Sequence, residues 1–259
     1  MWDILIQNGK LVDGLGSPWY YGDIAIVETQ IAAIGNISGA AKLVIDAKGL
    51  VVSPGFIDAH SHSDDSLIEN GQAESKIRQG VTSEVIGQCG SSAAPRTADD
   101  SSDYRPELAT FASYLALLEQ QGVSLNVIPL FGHGNLRKVV MGYDNRVATE
   151  DELAQMCQIA ADCMQAGAYG FTTGLIYPPG SFADENEIVK IAEVVASYGG
   201  LYATHLRDEG HDLLEAVAEA IRIGEQARLP VHISHHKACG EENWGLVKES
   251  LKYIDDKRA

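Results

Sequence analysis

The chain has 259 residues, 45% of them hydrophobic, enough for one large packed domain or a large and a small one. Its 19 basic and 36 acidic residues give a net charge of −17, which argues against nucleic acid or an anionic membrane as partner, since both select a basic face. Four cysteines suggest no disulfide framework, the start Met1-Trp2-Asp3-Ile4-Leu5 lacks the pattern of a signal peptide, and no apolar run is long enough to span a bilayer. A reducing, cytoplasmic setting is expected, where a functional cysteine is a ligand or nucleophile rather than half a disulfide.

Residues 1–52 are expected to be short strands joined by turns. Asp3–Ile6 and Lys10–Val12 flank Asn8-Gly9, a hairpin signal. Asp23–Val27 and Ile31–Gly35 make a second pair, and Leu43–Ala47 precedes Lys48-Gly49. Without helical periodicity, this stretch is a small β layer that carries no chemistry of its own.

From residue 53 the rhythm becomes strand, loop, helix, repeated. Leu50-Val51-Val52 leads through Ser53-Pro54 into a first strand that ends at His60 and His62. Side chains on a strand alternate, so the two imidazoles share a face; they can grip one metal, flank a substrate or merely cap the strand. Val81–Gly87 is a second strand, ending at Cys89, and Asn126–Phe131 a third, ending at His133. Ala168–Thr173 is a fourth, running into Tyr177-Pro178-Pro179-Gly180. Leu201–Thr204 is a fifth, ending at His205, and Val231–Ser234 a sixth, ending at His235-His236. Helices fit Asp151–Ala166, with Thr149 as N-cap, Glu185–Tyr198 and Leu213–Ala227. Residues 91–108 are expected to be a long loop over the end of strand two.

Alternating strands and helices imply a parallel sheet with right-handed crossovers, in a (β/α) barrel or an open doubly wound sheet. Spacing supports the barrel. His60 to Cys89 is 29 residues and His205 to His235 is 30, each close to one unit of roughly 30. Candidate ligands therefore fall at the ends of strands one, two, five and six, where barrels carry function. For strand six, barrel interiors favour branched residues, so Val231 and Ile233 should face inward and His235 with them; the alternative, His236, would turn Ser234 and His232 inward.

The segments Pro54–Asp64, Gly87-Gln88-Cys89-Gly90, Gly170–Gly180, Thr204–Arg207 and Ile233–Lys237 resemble the amidohydrolase superfamily, and within it the D-aminoacylases (N-acyl-D-amino-acid deacylases). A cysteine at the end of strand two, and no lysine at the end of strand four, separates this chain from dihydropyrimidinase relatives. The resemblance implies an incomplete (β/α)8 metal-dependent hydrolase barrel over residues 53–259, holding strands one to six, and part of a small β-sandwich-type domain over 1–52. It implies zinc held by Cys89, His205 and His235, an open fourth position being a catalytic pattern. His60 and His62 are implied as ligands of a second, weaker metal or as residues beside the zinc, and Tyr177 as a substrate contact. The bland readings are a small buried apolar cysteine, a surface or helix-start His205 and a tyrosine packed on proline. Among the remaining candidates, His133 lines the pocket or sits in a loop, His211 is an exposed helical residue, Cys157 and Cys163 are core, and Cys239 is a loop thiol.

The implied reaction is zinc-dependent hydrolysis of an N-acyl-D-amino acid to a carboxylate and a free D-amino acid. The general base, an Asp at the end of strand eight, and the arginine for the substrate carboxylate are expected beyond residue 259. The chain is thus read as an N-terminal part of the enzyme, without turnover alone. Two alternatives stand beside this reading. One is another amidohydrolase, of dihydropyrimidinase, hydantoinase or isoaspartyl dipeptidase type; the other is a barrel used as a non-catalytic scaffold.

Overall fold

The computed structural model describes residues 1–98 and 105–258. The middle of the expected 91–108 loop, and Ala259, therefore lie outside the described residues. The chain divides into two compact units, Met1–Phe56 and Ile57–Ala259, a few residues past the boundary expected at 52.

The first unit is a sheet of β1 (Trp2–Leu11), β2 (Tyr20–Val27), β3 (Gln30–Gly35), β4 (Ala41–Asp46) and β5 (Val51–Val52), in the order β3-β2-β1-β4 with β5 also on β1. β2 lies antiparallel to β1 and β3, and β4 and β5 run parallel to β1. The hairpin expected at Asn8-Gly9 does not form. β1 continues through it, and the register against β2 shifts between Ile6 and Gly9, a bulge. Asn8 is left-handed there, at φ 62°. Its N–H donates to Asp23 Oδ1 (2.9 Å) and its side-chain amide to Asp46 Oδ1 (3.0 Å). These partners from β2 and β4 stabilise a turn-like residue within a strand. The real hairpin joins β2 to β3, as the second pair of runs implied.

From the boundary the chain runs through β6 (Phe56–Asp58), whose first residue closes the first unit, into α1 (Asp64–Glu69), α2 (Glu74–Ile77) and β7 (Val81–Ile86). A 3-10 turn, α3 (Phe111–Gln121), β8 (Asn126–Pro129), β9 (Phe131–Gly132), α4 (His133–Met141) and α5 (Glu150–Ala166) follow. Then come β10 (Gly170–Gly174), α6 (Glu185–Ser197), β11 (Leu201–His205), α7 (Leu213–Ala227), β12 (Val231–Ile233) and α8 (Leu246–Arg258). The single third strand expected over 126–131 is broken at Leu130. Its first half, β8, pairs in parallel with β7, and its second half, β9, with β10. The strands thus form two sheets, β6-β7-β8 and β9-β10-β11-β12, joined through one interrupted strand. β10, β11 and β12 are parallel neighbours.

Helix starts follow the caps written in the sequence. Thr149 and Glu152 form a reciprocal capping box at α5, and Asp184 accepts the Glu187 N–H at α6 (2.9 Å). The inner faces of these helices bury Met156, Ala160 and Cys163 of α5 and Ile188, Ile191, Ala192 and Val195 of α6. Each large side chain removed from water contributes roughly 1.5–3 kcal/mol. Against them the strands set an aromatic column: Phe131 of β9 stacks on Phe171 of β10 at 6.0 Å, and Phe171 on Tyr202 of β11 at 4.8 Å. This core holds the ends of β7, β10, β11 and β12 in place, and the polar cluster sits at those ends.

Candidate metal centre

Cys89 follows β7 in a tight turn with φ 54°. Close backbone approach fixes that turn. A Cβ on Gly87 would lie 1.9 Å from Leu130 O, and one on Gly174 would lie 2.2 Å from Cys89 O, so neither position has room for a side chain. The buried Thr172 of β10 ties the same turn: its hydroxyl donates to Gly87 O (2.5 Å) and accepts from Gly90 N–H (2.9 Å). The thiol is thereby presented at the strand end instead of packing into the core.

His60 Nε2 lies 3.4 Å and His235 Nε2 3.5 Å from Cys89 Sγ. These three donor atoms all lie within 4.8 Å of one another. A second set of the same compactness joins His205, Glu209 and His235. His235 is common to both, its ring 5.0 Å from that of His60 and 4.3 Å from that of His205. His62 is next to His60, with ring centroids 5.2 Å apart, and Tyr177 lies edge-on to His205 at 4.8 Å. All six sequence-implied residues thus meet at the strand ends of the two sheets. Four of them, His60, Cys89, His205 and His235, fall into the two overlapping sets, and Cys89 and His205 do not share one.

The parity argument for His235 needs correcting. Val231 and Ile233 face the helices: Ile233 packs with Leu206, Leu213 and Val217, and a Cβ on Gly224 of α7 would meet Val231 Cγ2 at 2.2 Å. His232 is the exposed side chain on the other face. β12 ends at Ile233, and a left-handed backbone at His235 (φ 36°) swings its ring toward Cys89. The side chain arrives through a turn, where alternation no longer applies. His236 instead meets Ser250 Oγ of α8 at 2.9 Å.

Two charged groups at the cluster carried no assigned role in the sequence. Glu209 is buried; its Oε1 lies 2.5 Å from Lys237 Nζ and 3.1 Å from His235 Nδ1, and its Oε2 lies 3.4 Å from His205 Nε2. The signal available was spacing, a Glu four residues after His205 and a Lys two after His235. Arg207 braces the approach: it pairs with Glu219 and donates to Ser181 O and Ala183 O, beyond the Tyr177–Gly180 loop. That loop, with His62, Cys89 and Lys138, lines a pocket of about 370 Å³.

Three minor expectations change. His133 is neither a loop residue nor open to the pocket; it starts α4 fully buried, with Nε2 2.7 Å from Glu187 Oε1. His211 is exposed but lies in the turn before α7. Cys163 is core as expected, while Cys157 is only half-buried.

Burial first, then the neighbouring His235 and His62, lowers His60 to about 4, and burial also lowers His62 and His205. Neutral imidazoles with free lone pairs are what a metal requires. Burial, then Glu209, pushes the Cys89 thiol up to about 11, against a smaller opposing effect of Lys237. A divalent cation reverses that preference and holds the sulfur as thiolate. His60 Nδ1 and both ring nitrogens of His205 are buried without a hydrogen-bond partner, since Glu209 is near His205 without hydrogen-bond alignment. Orphaned imidazole nitrogens beside a nitrogen and sulfur set (His60, Cys89, His235) and a nitrogen and oxygen set (His205, Glu209, His235) fit a zinc ion.

A parallel strand–helix alternation with histidines and a cysteine at the strand ends is the arrangement in which (β/α) barrels carry their sites. The chain belongs to the amidohydrolase family, whose model matches residues 43–254. It is 40% identical over 264 residues to a D-aminoacylase of Alcaligenes xylosoxydans xylosoxydans, a match spanning 98% of this chain and 54% of that one. A solved D-aminoacylase structure superposes with a TM-score of 0.94 at 38% identity, covering 100% of this chain and 56% of that one. An N-acyl-D-glutamate deacylase of Bordetella bronchiseptica, solved with zinc and a phosphonate mimic of the tetrahedral intermediate, gives 0.93 at 35% identity, covering 99% and 56%. The chain spans about half the length of the relatives it matches.

Proposed function

We propose that this chain carries the metal-binding part of an N-acyl-D-amino-acid deacylase, with zinc held around Cys89, His60, His205 and His235, and His62 beside them. Residues 53–259 would supply strands one to six of its barrel and residues 1–52 part of its small β domain. The observation that carries the reading is the Cys89 thiol, set 3.4–3.5 Å from two imidazole nitrogens at the edge of a pocket. It is supported by deacylase relatives aligned along nearly the whole chain.

Bound there, zinc would polarise the amide carbonyl and make water a nucleophile at neutral pH. The chain's own residues prepare for this. The turn through Gly87 and Gly90 fixes the sulfur, and burial favours the neutral form of His60, His62 and His205. Tyr177 stands half-exposed over His205 and can give its hydroxyl to the substrate. An N-acylated amino acid is an anion, and in a protein of net charge −17 it needs local positive charge. Lys138 supplies one in the pocket lining.

The test is to assay the natural full-length polypeptide on N-acetyl-D-methionine and N-acetyl-L-methionine, with zinc and after chelation. Zinc-dependent turnover of the D-form, at least tenfold faster than the L-form, is expected. Equal rates, or a preference for cyclic imides, would move the protein to the dihydropyrimidinase-like alternative. Tight zinc without any hydrolysis would favour a scaffold.

A further inference from the structure

His235 Nδ1 has two polar neighbours that make opposite demands on it. Lys237 Nζ, at 3.1 Å, can only donate to that nitrogen. Glu209 Oε1, also at 3.1 Å, is within reach of the same nitrogen and can only accept from it, although the contact aligned as a hydrogen bond in the structure is the one to Lys237. A neutral imidazole carries one proton, so the two contacts select different tautomers. If Lys237 donates to Nδ1, the ring proton sits on Nε2, the nitrogen 3.5 Å from Cys89 Sγ, and no lone pair is left there for a metal. If Nδ1–H instead points at Glu209, the Nε2 lone pair is free.

We propose that Glu209 and Lys237 together select the tautomer of His235, with the Glu209 carboxylate holding the metal-ready form. Resting on the zinc reading above, this makes Glu209 a positioning residue. Glu209 acts in two ways. It is a buried carboxylate within reach of Nδ1–H, and it holds the Lys237 ammonium at 2.5 Å, closer than the 3.1 Å that separates the ammonium from the imidazole. Its backbone is held by the loop that follows His235: its C=O accepts the Cys239 N–H (2.6 Å), and Asn243 in turn donates to Cys239 O (2.8 Å). Carboxylates that accept the outer N–H of a metal-bound histidine orient the ring, and their loss typically costs 10–100-fold in metal affinity.

The sign of the coupling between the two residues tests this. Glu209→Gln keeps the shape but removes the charge that holds Lys237, so zinc affinity should fall 10–100-fold. Lys237→Met alone should leave zinc affinity unchanged or higher. In the double variant the competing donor is gone, and affinity should recover by at least fivefold over Glu209→Gln. Zinc affinity of the full-length protein would be read by competition with a chromophoric chelator. Nitrogen NMR of labelled histidine in the zinc-free protein would report which ring nitrogen carries the proton. A double variant as weak as Glu209→Gln, or a Glu209→Gln protein that binds zinc like the wild type, overturns the selector. An unchanged His235 tautomer in folded Glu209→Gln protein does the same. If the wild type binds no zinc, the metal reading itself fails, an outcome separate from these.

Discussion

At the scale of single residues, Cys89 and His236 make opposite predictions. Cys89 contributes the one sulfur of the cluster, whereas His236 is turned to Ser250 of α8. Cys89→Ala should abolish tight zinc binding, and His236→Ala should leave it within about threefold, a change of under ~1 kcal/mol. A full equivalent of zinc in purified Cys89→Ala protein, measured by elemental analysis, would defeat the assignment. The sequence made the candidate residues legible because histidines and a cysteine at strand ends recur at the length of one strand–helix unit. It misjudged how His235 arrives, because alternation ends where a strand ends and a single left-handed residue redirects the side chain. Glu209 stayed silent because an acidic residue in Arg207-Asp208-Glu209 looks like any solvated helix approach until its burial is known. Thr172 was hidden for a related reason: a threonine inside a strand gives no sign that its hydroxyl spans Gly87 and Gly90.

At the scale of elements, α4 and α6 are joined by a buried ion pair. Glu187 accepts from Arg137 Nη1 at 2.6 Å and contacts His133 at 2.7 Å, all three side chains being buried. Burial alone would raise the Glu187 pKa, but the His133 contact and the Arg137 charge outweigh it, and the carboxyl lies below its ordinary value of 4.5. A depressed pKa contributes stability above the unfolded value, and that contribution is lost as pH falls through the folded one. Glu187→Gln leaves Arg137 buried without its counter-charge and should cost about 3–5 kcal/mol at pH 7. The gap from wild type should narrow below about pH 4.5, as measured by urea unfolding at several pH values; a gap independent of pH would show that the pair does not carry the effect. Thr149→Ala, which removes half of the α5 capping box, should cost about 1 kcal/mol at any pH between 6 and 8. Elements with strong local signals, such as α5 and α7, were legible from sequence to within a residue or so. The Asn8-Gly9 bulge was not, because its hydrogen bonds come from Asp23 and Asp46, acceptors 15 and 38 residues away. The break of the third strand at Leu130 is also a tertiary effect, since its two halves are pulled to β7 and β10.

At the scale of the whole molecule, the proposed site, shared by the ends of β6, β7, β11 and β12, would tie metal binding to the integrity of the second unit. A ligand that binds only the folded form at a hundred times its dissociation constant stabilises by about 2.7 kcal/mol. For a unit of this size that is a rise in melting temperature of roughly 5–11 °C. Zinc should produce such a rise in the wild-type protein and none in Cys89→Ala. An equal rise in both would mean that the metal stabilises from elsewhere. Among the described residues no helix is long and apolar enough to cross a membrane.

The glycines packed around the Cys89 turn carry a consequence for how this sequence can drift. Gly87 and Gly174 touch no ligand atom, yet each sits against a neighbouring backbone oxygen at a separation no Cβ can share. In a saturation-mutagenesis map scored by zinc retention, they should be as intolerant as Cys89 itself, with alanine no better than tryptophan. Tyr177, though it faces the pocket, should accept other aromatic residues in the same map. Permissiveness at this site would then follow backbone separation more closely than distance from the chemistry.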